Sequence, residues 1–123
     1  MCLVNAWISE NAKPYEILCG DFNDNPDSNI HKYLKDNMWL DLAMFNEEKN
    51  DIKAQSTFDY INNPHLKNET NLTTQFRYDW ILIKKHESLN LPSINSVEVF
   101  GNIPVTKAQI LPSDHYGVVI DIT

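Results

Sequence analysis

The sequence predicts a mixed fold of the α/β (α+β) type, with one mixed or antiparallel sheet and flanking helices. Three observations support this prediction. Runs rich in β-branched and aromatic residues, bounded by turn formers, are typical of strands. Residues 29–36 space their apolar side chains as an amphipathic helix does. The 123 residues suffice for one domain with a real core and are too few for two.

The first elements follow from apolar spacing and from proline. Apolar residues between positions 3 and 8 recur at helical spacing, which predicts a helix that ends before Pro14. The run YEILC, residues 15–19, predicts a buried strand in which Cys19 packs as a small hydrophobic side chain. The chain then enters GDFNDNP, residues 20–26, where Asp and Asn are ordinary turn formers or the edge of an active site.

A helix is predicted over NIHKYLKD, residues 29–36, with Asp27 or Ser28 as its N-cap. Its inward face should comprise Ile30, Tyr33 and Leu34, so that His31 faces solvent, as does His65 farther along. An apolar patch around Asp41 follows, and the polar residues 46–54 are expected to form a loop.

The second half of the chain predicts a series of strands. STFDYI has strand character, RYDWILI (77–83) is rich in β-forming residues, and SVEVF (96–100) alternates as a half-buried strand does. YGVVIDI (116–122) predicts the last strand, and the polar residues 62–75 form a long loop. Trp39 and Trp80 are assigned to the core, whereas Asp24, Asn25, Asp27 and Asp59 are assigned to turns or loops.

Composition limits the classes of function. The net charge of −7 disfavours simple electrostatic capture of duplex nucleic acid, although a bound divalent cation would reverse the local sign. Two cysteines make neither a disulfide framework nor a zinc site. We see no signal peptide and no transmembrane segment, so a cytoplasmic location is expected by default.

Acids lie at or beside the ends of three predicted strands. Asp21 follows the first strand, Asp79 lies inside RYDWILI, and Asp114 with His115 precedes the last strand. An unpaired carboxylate buried in a sheet is costly, so three of them suggest a shared site in which a cation and a histidine are the partners. Taken singly, each of these residues is more often a turn, cap or ion-pair residue.

The motifs GDFN (20–23), RYDWIL (77–82) and SDH (113–115), in this order, resemble the endonuclease/exonuclease/phosphatase superfamily, whose fold is like that of deoxyribonuclease I. TFDYINNP (57–64) is most similar to the neutral sphingomyelinase branch. The resemblance implies that residues 1–123 form the C-terminal half of a four-layer sandwich. The family's N-terminal half, which supplies an Asn, a Glu and a His, has no counterpart here, so a missing half or partner chain is expected.

The resemblance also implies a Mg²⁺-dependent hydrolysis of phosphodiesters. Asp21 would activate water, Asn23 would donate to a phosphate oxygen, and Asp114 would bind Mg²⁺ or a similar divalent cation, weakly if at all in this chain alone. His115, charged and oriented by Asp79, would stabilise the transition state. A hydrogen bond between Asp79 and His115, a raised pKa of His115 and a cleft shared with Asp21 and Asn23 are therefore expected.

Several functions stay open at this point. The acidic balance and TFDYINNP favour a phospholipid headgroup over nucleic acid as the substrate, because a nuclease should cluster its basic residues. The alternatives are a Mg²⁺-dependent nuclease of the same superfamily, and a non-catalytic fragment or module that pairs with a separate partner half. We expect the chain by itself to be inactive, with an apolar sheet face left uncovered.

Overall fold

The computed structural model describes Leu3, Ala6 and residues 15–67 and 72–123. Apart from Leu3 and Ala6, the predicted N-terminal helix lies outside these residues. The described helices are α1 (Asn29–Asp36), α2 (Leu42–Asn50) and α3 (Pro64–Lys67). The described strands are β1 (Ile17–Asp21), β2 (Trp39–Asp41), β3 (Phe58–Asp59), β4 (Gln75–Phe76), β5 (Asp79–Lys84), β6 (Ile94–Phe100) and β7 (Gly117–Ile122). The predicted α+β class is confirmed.

The described strands form three antiparallel sheets. Their orders are β1-β5-β2, β3-β4 and β6-β7. The prediction of one sheet was therefore wrong for this part of the chain. Strands β5 and β7 contact each other, but no ladder joins them among the described residues. The strands β3 and β4 have two residues each, too few to extend a ladder beyond their own pairing.

Side chains of β1 alternate between two faces of the first sheet. Leu18 packs towards the core, whereas Ile17 is 54% exposed and Cys19 is exposed. The predictions of a buried first strand and of a packed Cys19 were wrong, because both side chains lie on the face opposite the core. We call this the outer face. The uncovered apolar face stays a prediction, because Ile83 of β5, the register partner of Ile17, lies on this same face and is only 2% exposed.

The core lies on the inner face of the same sheet. Leu34 of α1 packs with Trp39, Trp80 and Leu82, and each of these side chains is 2% exposed or less. Phe22 stacks on Trp80 with ring centroids 4.4 Å apart. Burying such side chains contributes roughly 1.5–3 kcal/mol each. The prediction that both tryptophans belong to the core is confirmed, and the core holds the residue next to Asp79.

Helix α1 has the predicted bounds because the Ser28 side chain accepts a hydrogen bond from the backbone N–H of His31. The prediction that His31 faces solvent was wrong, since His31 is only 5% exposed. It lies three residues before Leu34, on the same face of the helix. Its Nε2 lies 2.9 Å from Asp41 Oδ2, which gives the ring a polar partner inside the core.

Asp41 is the centre of a buried polar network. Arg77 donates Nη2 to Asp41 Oδ2 at 2.6 Å and Nη1 to Oδ1 at 3.2 Å, beside the contact with His31. Burial by itself raises the pKa of Asp41, but the hydrogen bonds from His31 and Arg77 outweigh burial and hold that pKa below its usual range. The network fixes the side chain of Arg77, which precedes Asp79 by two residues in the chain.

Helix α2 occupies most of the segment that was predicted to be a loop. Asp41 caps it by accepting from the backbone N–H of Met44, and the Asn50 side chain donates to the Asn46 side chain at 2.7 Å. Asp41 therefore serves as the N-cap, and Asn46 and Asn50 form a side-chain pair along the helix. The helix ends at Asp51, whose φ is 54°. None of the helices in the described ranges combines the length and apolarity that crossing a membrane requires.

Candidate functional site

Strands β1 and β5 place two carboxylates directly opposite each other. Asp21 ends β1, Asp79 begins β5, and the two are register partners in the antiparallel ladder. Like charges in this position are destabilising by themselves. The alternation along both strands puts these side chains on the outer face, where β1 ends and β5 begins. A cationic partner is therefore required nearby.

His115 is that partner. Its Nδ1 lies 2.9 Å from Asp79 Oδ2, and its Nε2 lies 3.8 Å from Asp21 Oδ2. The predicted hydrogen bond between Asp79 and His115 is thus present. Partial burial lowers the pKa of His115, but the hydrogen bond and charge of Asp79, helped by Asp21 and Asp114, outweigh burial and raise it above the ordinary value of 6.5. The raised pKa of His115 was also predicted, and the ring lies between the two acids.

The turn after β1 fixes the Asp21 side chain. The backbone N–H of Asn23 donates to Asp21 Oδ1 at 2.7 Å, and Asn23 has φ of 52°, in the left-handed region that asparagine tolerates. Oδ1 of Asp21 is thereby held by the backbone, while Oδ2 lies nearer to His115. Asn23 is exposed beside this site.

Asp114 lies next to the site. Its side chain is exposed and accepts a hydrogen bond from Ser113 Oγ at 3.3 Å, while the same hydroxyl accepts from the backbone N–H of His115 at 3.1 Å. The sequence Ser-Asp-His therefore forms a local turn that presents the imidazole to Asp79. The role of Asp114 as the metal ligand stays a prediction.

The three residues of the site could hold a metal ion. One ligand atom each from Asp21, Asp79 and His115 lies within 4.8 Å of the others. The two carboxylates suit a hard cation such as Mg²⁺. The imidazole suits it less well, since it is bound to Asp79 and its raised pKa favours the proton over a metal. The donor set therefore fits the cation only in part.

Aromatic rings flank His115, and the sequence prediction did not identify them as part of the site. The Phe58 ring lies 4.7 Å from the His115 ring and stacks on Tyr78 at 5.2 Å, and Tyr78 stacks on Phe76 at 5.2 Å. All of these rings are half-buried. The alternation of aromatic residues at 58, 60, 76 and 78 was the available signal, because alternate residues of paired strands share a face. We call Phe58, Tyr60, Phe76 and Tyr78 the ring cluster.

Other predicted features have mixed outcomes. Asp24 and Asp59 act as turn residues, since each accepts from backbone N–H groups just after it, although Asp59 is also buried in β3. Asn25 does more than form a turn: its Oδ1 accepts from the backbone N–H of Arg77 at 2.9 Å. His65 is exposed, as predicted. A broad cleft of about 1120 Å³ is lined by Asp59 and Arg77 but by none of the three site residues.

No protein-family model matches this chain, and no curated protein matches it either.

Proposed function

We propose that this chain carries part of the active site of a metal-dependent phosphodiester hydrolase. The observation that supports the proposal best is the pairing of His115 with Asp79 at 2.9 Å, beside a second carboxylate on Asp21. An acid–histidine pair next to an exposed carboxylate provides both a positive group for phosphate and a base for water. All three side chains are partly exposed, Asp21 by 48%, so a substrate can reach them.

His115 stabilises the negative charge that develops on phosphate. Asp79 accepts the Nδ1 proton, which fixes the ring and favours its charged form. The Nε2 proton is then available to a non-bridging or leaving oxygen of the phosphodiester. The ring remains positive throughout this step, so its contribution is electrostatic and grows as the phosphorane-like charge develops.

Asp21 positions the attacking water. Its side chain is 48% exposed, and Oδ1 is anchored by the backbone N–H of Asn23. The Asn23 amide would donate to a phosphate oxygen. Asp21 and Asp114 would supply carboxylate oxygens to Mg²⁺, which neutralises phosphate charge when it is bound. Because the site offers few oxygen ligands, we propose that this chain alone binds the cation weakly and is inactive without a partner half.

The proposed substrate class is a phospholipid headgroup. The net charge of −7 repels a nucleic acid backbone, and the ring cluster beside His115 suits a cationic headgroup through cation–π attraction. The same rings favour a nuclease as the second candidate, because aromatic faces also stack on bases. A non-catalytic module that pairs with a partner half is the third candidate, supported by the exposed apolar side chains of the outer face.

Binding of two small phosphodiesters tests the proposal without requiring turnover. Glycerophosphocholine and a dithymidine phosphodiester are titrated in Mg²⁺ buffer while the ring signals of His115 are followed by NMR. We expect glycerophosphocholine to shift these signals more, and the shift to be lost in Asp79→Asn and kept in the charge-matched Asp36→Asn, whose carboxylate is exposed on α1. A larger shift with the dithymidine compound favours the nuclease. No shift with either compound overturns the phosphodiesterase proposal.

A further inference from the structure

Asp79 begins β5, whereas His115 lies just before β7, and no ladder connects the sheets of these two strands among the described residues. The two residues are 36 positions apart. Backbone pairing therefore does not set the distance between them. Thr57 and Asn63 of the segment TFDYINNP, residues 57–64, hydrogen-bond to the two segments that carry the pair.

We propose that Thr57 and Asn63 are positioning residues for this pair, acting as a brace on its two sides. The importance of the pair for catalysis rests on the proposed function. The positioning of the pair by Thr57 and Asn63 rests on their hydrogen bonds alone. We use the word brace for these two side chains and the Thr57 backbone.

Thr57 holds the Asp79 side of the pair. Its side chain is fully buried, and its hydroxyl oxygen accepts from the backbone N–H groups of Tyr78 at 3.0 Å and Asp79 at 3.2 Å. A buried N–H that loses its acceptor is costly, so the hydroxyl fixes the backbone where β5 begins. Valine has the same shape but cannot accept these bonds.

The backbone of Thr57 extends the brace to the His115 side. Its N–H donates to Phe76 O at 2.9 Å, and its carbonyl accepts from the N–H of Tyr116 at 2.8 Å. One buried residue thus contacts the residue that starts β5 and the residue that follows the histidine. Among the described residues, no β-ladder joins these two segments.

Asn63 holds the turn that presents His115. It is fully buried, and its Nδ2 donates to Ser113 O at 3.2 Å and to Asp114 O at 3.0 Å. Its Oδ1 accepts from the N–H of His65 at 3.0 Å, so the amide orientation is determined. The carbonyls of two consecutive residues before His115 are therefore fixed from one side chain.

The pair needs such a brace because both of its side chains are partly open to water, at 25% and 21% exposure. Water competes for a loosely held carboxylate and imidazole, and their bond weakens steeply once distance and angle are lost. A brace that limits the relative motion of the two backbones keeps the imidazole within hydrogen-bond distance of Asp79.

Thr57→Val tests the brace. The Nδ1 proton of His115 is followed by NMR at one fixed pH, and its downfield shift, which reports the hydrogen bond to Asp79, should fall in the same direction as in Asp79→Asn and by most of that change. Thr57→Ser keeps the hydroxyl and should keep the wild-type shift. Thr106→Val is the matched control, because its hydroxyl also accepts one backbone N–H, from Ile110, but in an exposed loop. It should leave the Nδ1 proton shift of His115 unchanged.

A purely structural role for Thr57 gives a different result. Thr57→Val would then lower the urea midpoint of unfolding while the Nδ1 proton of His115 keeps its wild-type shift, and that outcome overturns the proposal. If Thr57→Val does not fold, amide exchange in the wild-type chain decides. The brace requires slow exchange at Tyr78, Asp79 and Tyr116, and exchange as fast as in an exposed loop at these amides refutes it. Neither readout depends on turnover, so the brace and the proposed function fail separately.

Discussion

Replacing Asp79 by asparagine isolates the charge of the carboxylate from its shape. Asparagine can still accept a hydrogen bond from His115 Nδ1 through its amide oxygen, so the hydrogen-bond geometry is retained while the ion pair is lost. The substitution also removes the repulsion between Asp79 and its register partner Asp21. The effect on stability is therefore the loss of one attraction less the relief of one repulsion.

The size of the effect follows from the exposure of the pair. Exposed ion pairs contribute up to about 1 kcal/mol, and hydrogen bonds to charged groups about 1.5–3 kcal/mol. At 25% and 21% exposure the pair lies between these cases, and water screens it. After relief of the repulsion with Asp21, we expect Asp79→Asn to lower the free energy of unfolding by about 1 kcal/mol where His115 is charged.

The destabilisation by Asp79→Asn should depend on pH, and the direction of that dependence tests the explanation. The folded-state pKa of His115 is raised above 6.5, so the stabilisation is fully present below pH 6.5 and is lost as the pH rises through the folded-state pKa. Urea denaturation at about pH 5.5 should show the full destabilisation, and at about pH 9 almost none. Asp36→Asn, on an exposed pair with Lys32, controls for the change in net charge. A destabilisation that is equal at both pH values would refute this reasoning.

Three further predictions follow from other contacts. Arg77→Met should lower the free energy of unfolding, measured in urea, by about 3 kcal/mol, because it leaves the buried carboxylate of Asp41 with His31 as its remaining side-chain partner. The control Lys32→Met, which breaks an exposed pair, should lower it by less than about 1 kcal/mol. Since the Asp41 pKa is lowered, the loss in Arg77→Met should shrink below pH 3.8, and a loss that persists in acid would contradict the ion-pair explanation. Mn²⁺ should broaden the His115 signals only above roughly 1 mM, less so in Asp21→Asn; micromolar binding would contradict the partial donor set. The exposed outer face around Ile17 should bind a hydrophobic dye, and a dye-negative monomer would count against an uncovered face.

Local sequence patterns were enough to predict helix α1, three of the strands and three residues of the site. Apolar spacing and the Ser28 cap predicted α1 with its observed bounds, since both act within one or two helical turns. β-branched runs predicted β5, β6 and β7 to within two residues of each end. Acids at strand ends and the Ser-Asp-His sequence also led to Asp21, Asp79 and His115, because unpaired carboxylates in strands need a partner.

The tertiary structure alone decided how these elements meet. His31 and Asp41 are ten residues apart and become buried partners, which no local pattern shows. Asn46 lies in a helix despite its polar surroundings, since Asp41 caps that helix and Asn50 pairs with Asn46. Thr57 and Asn63 acquire their place from contacts with residues as far along the chain as Tyr116 and Asp114. Such contacts depend on which surfaces are brought together when the core forms, and a sequence pattern that acts over a few residues does not encode them.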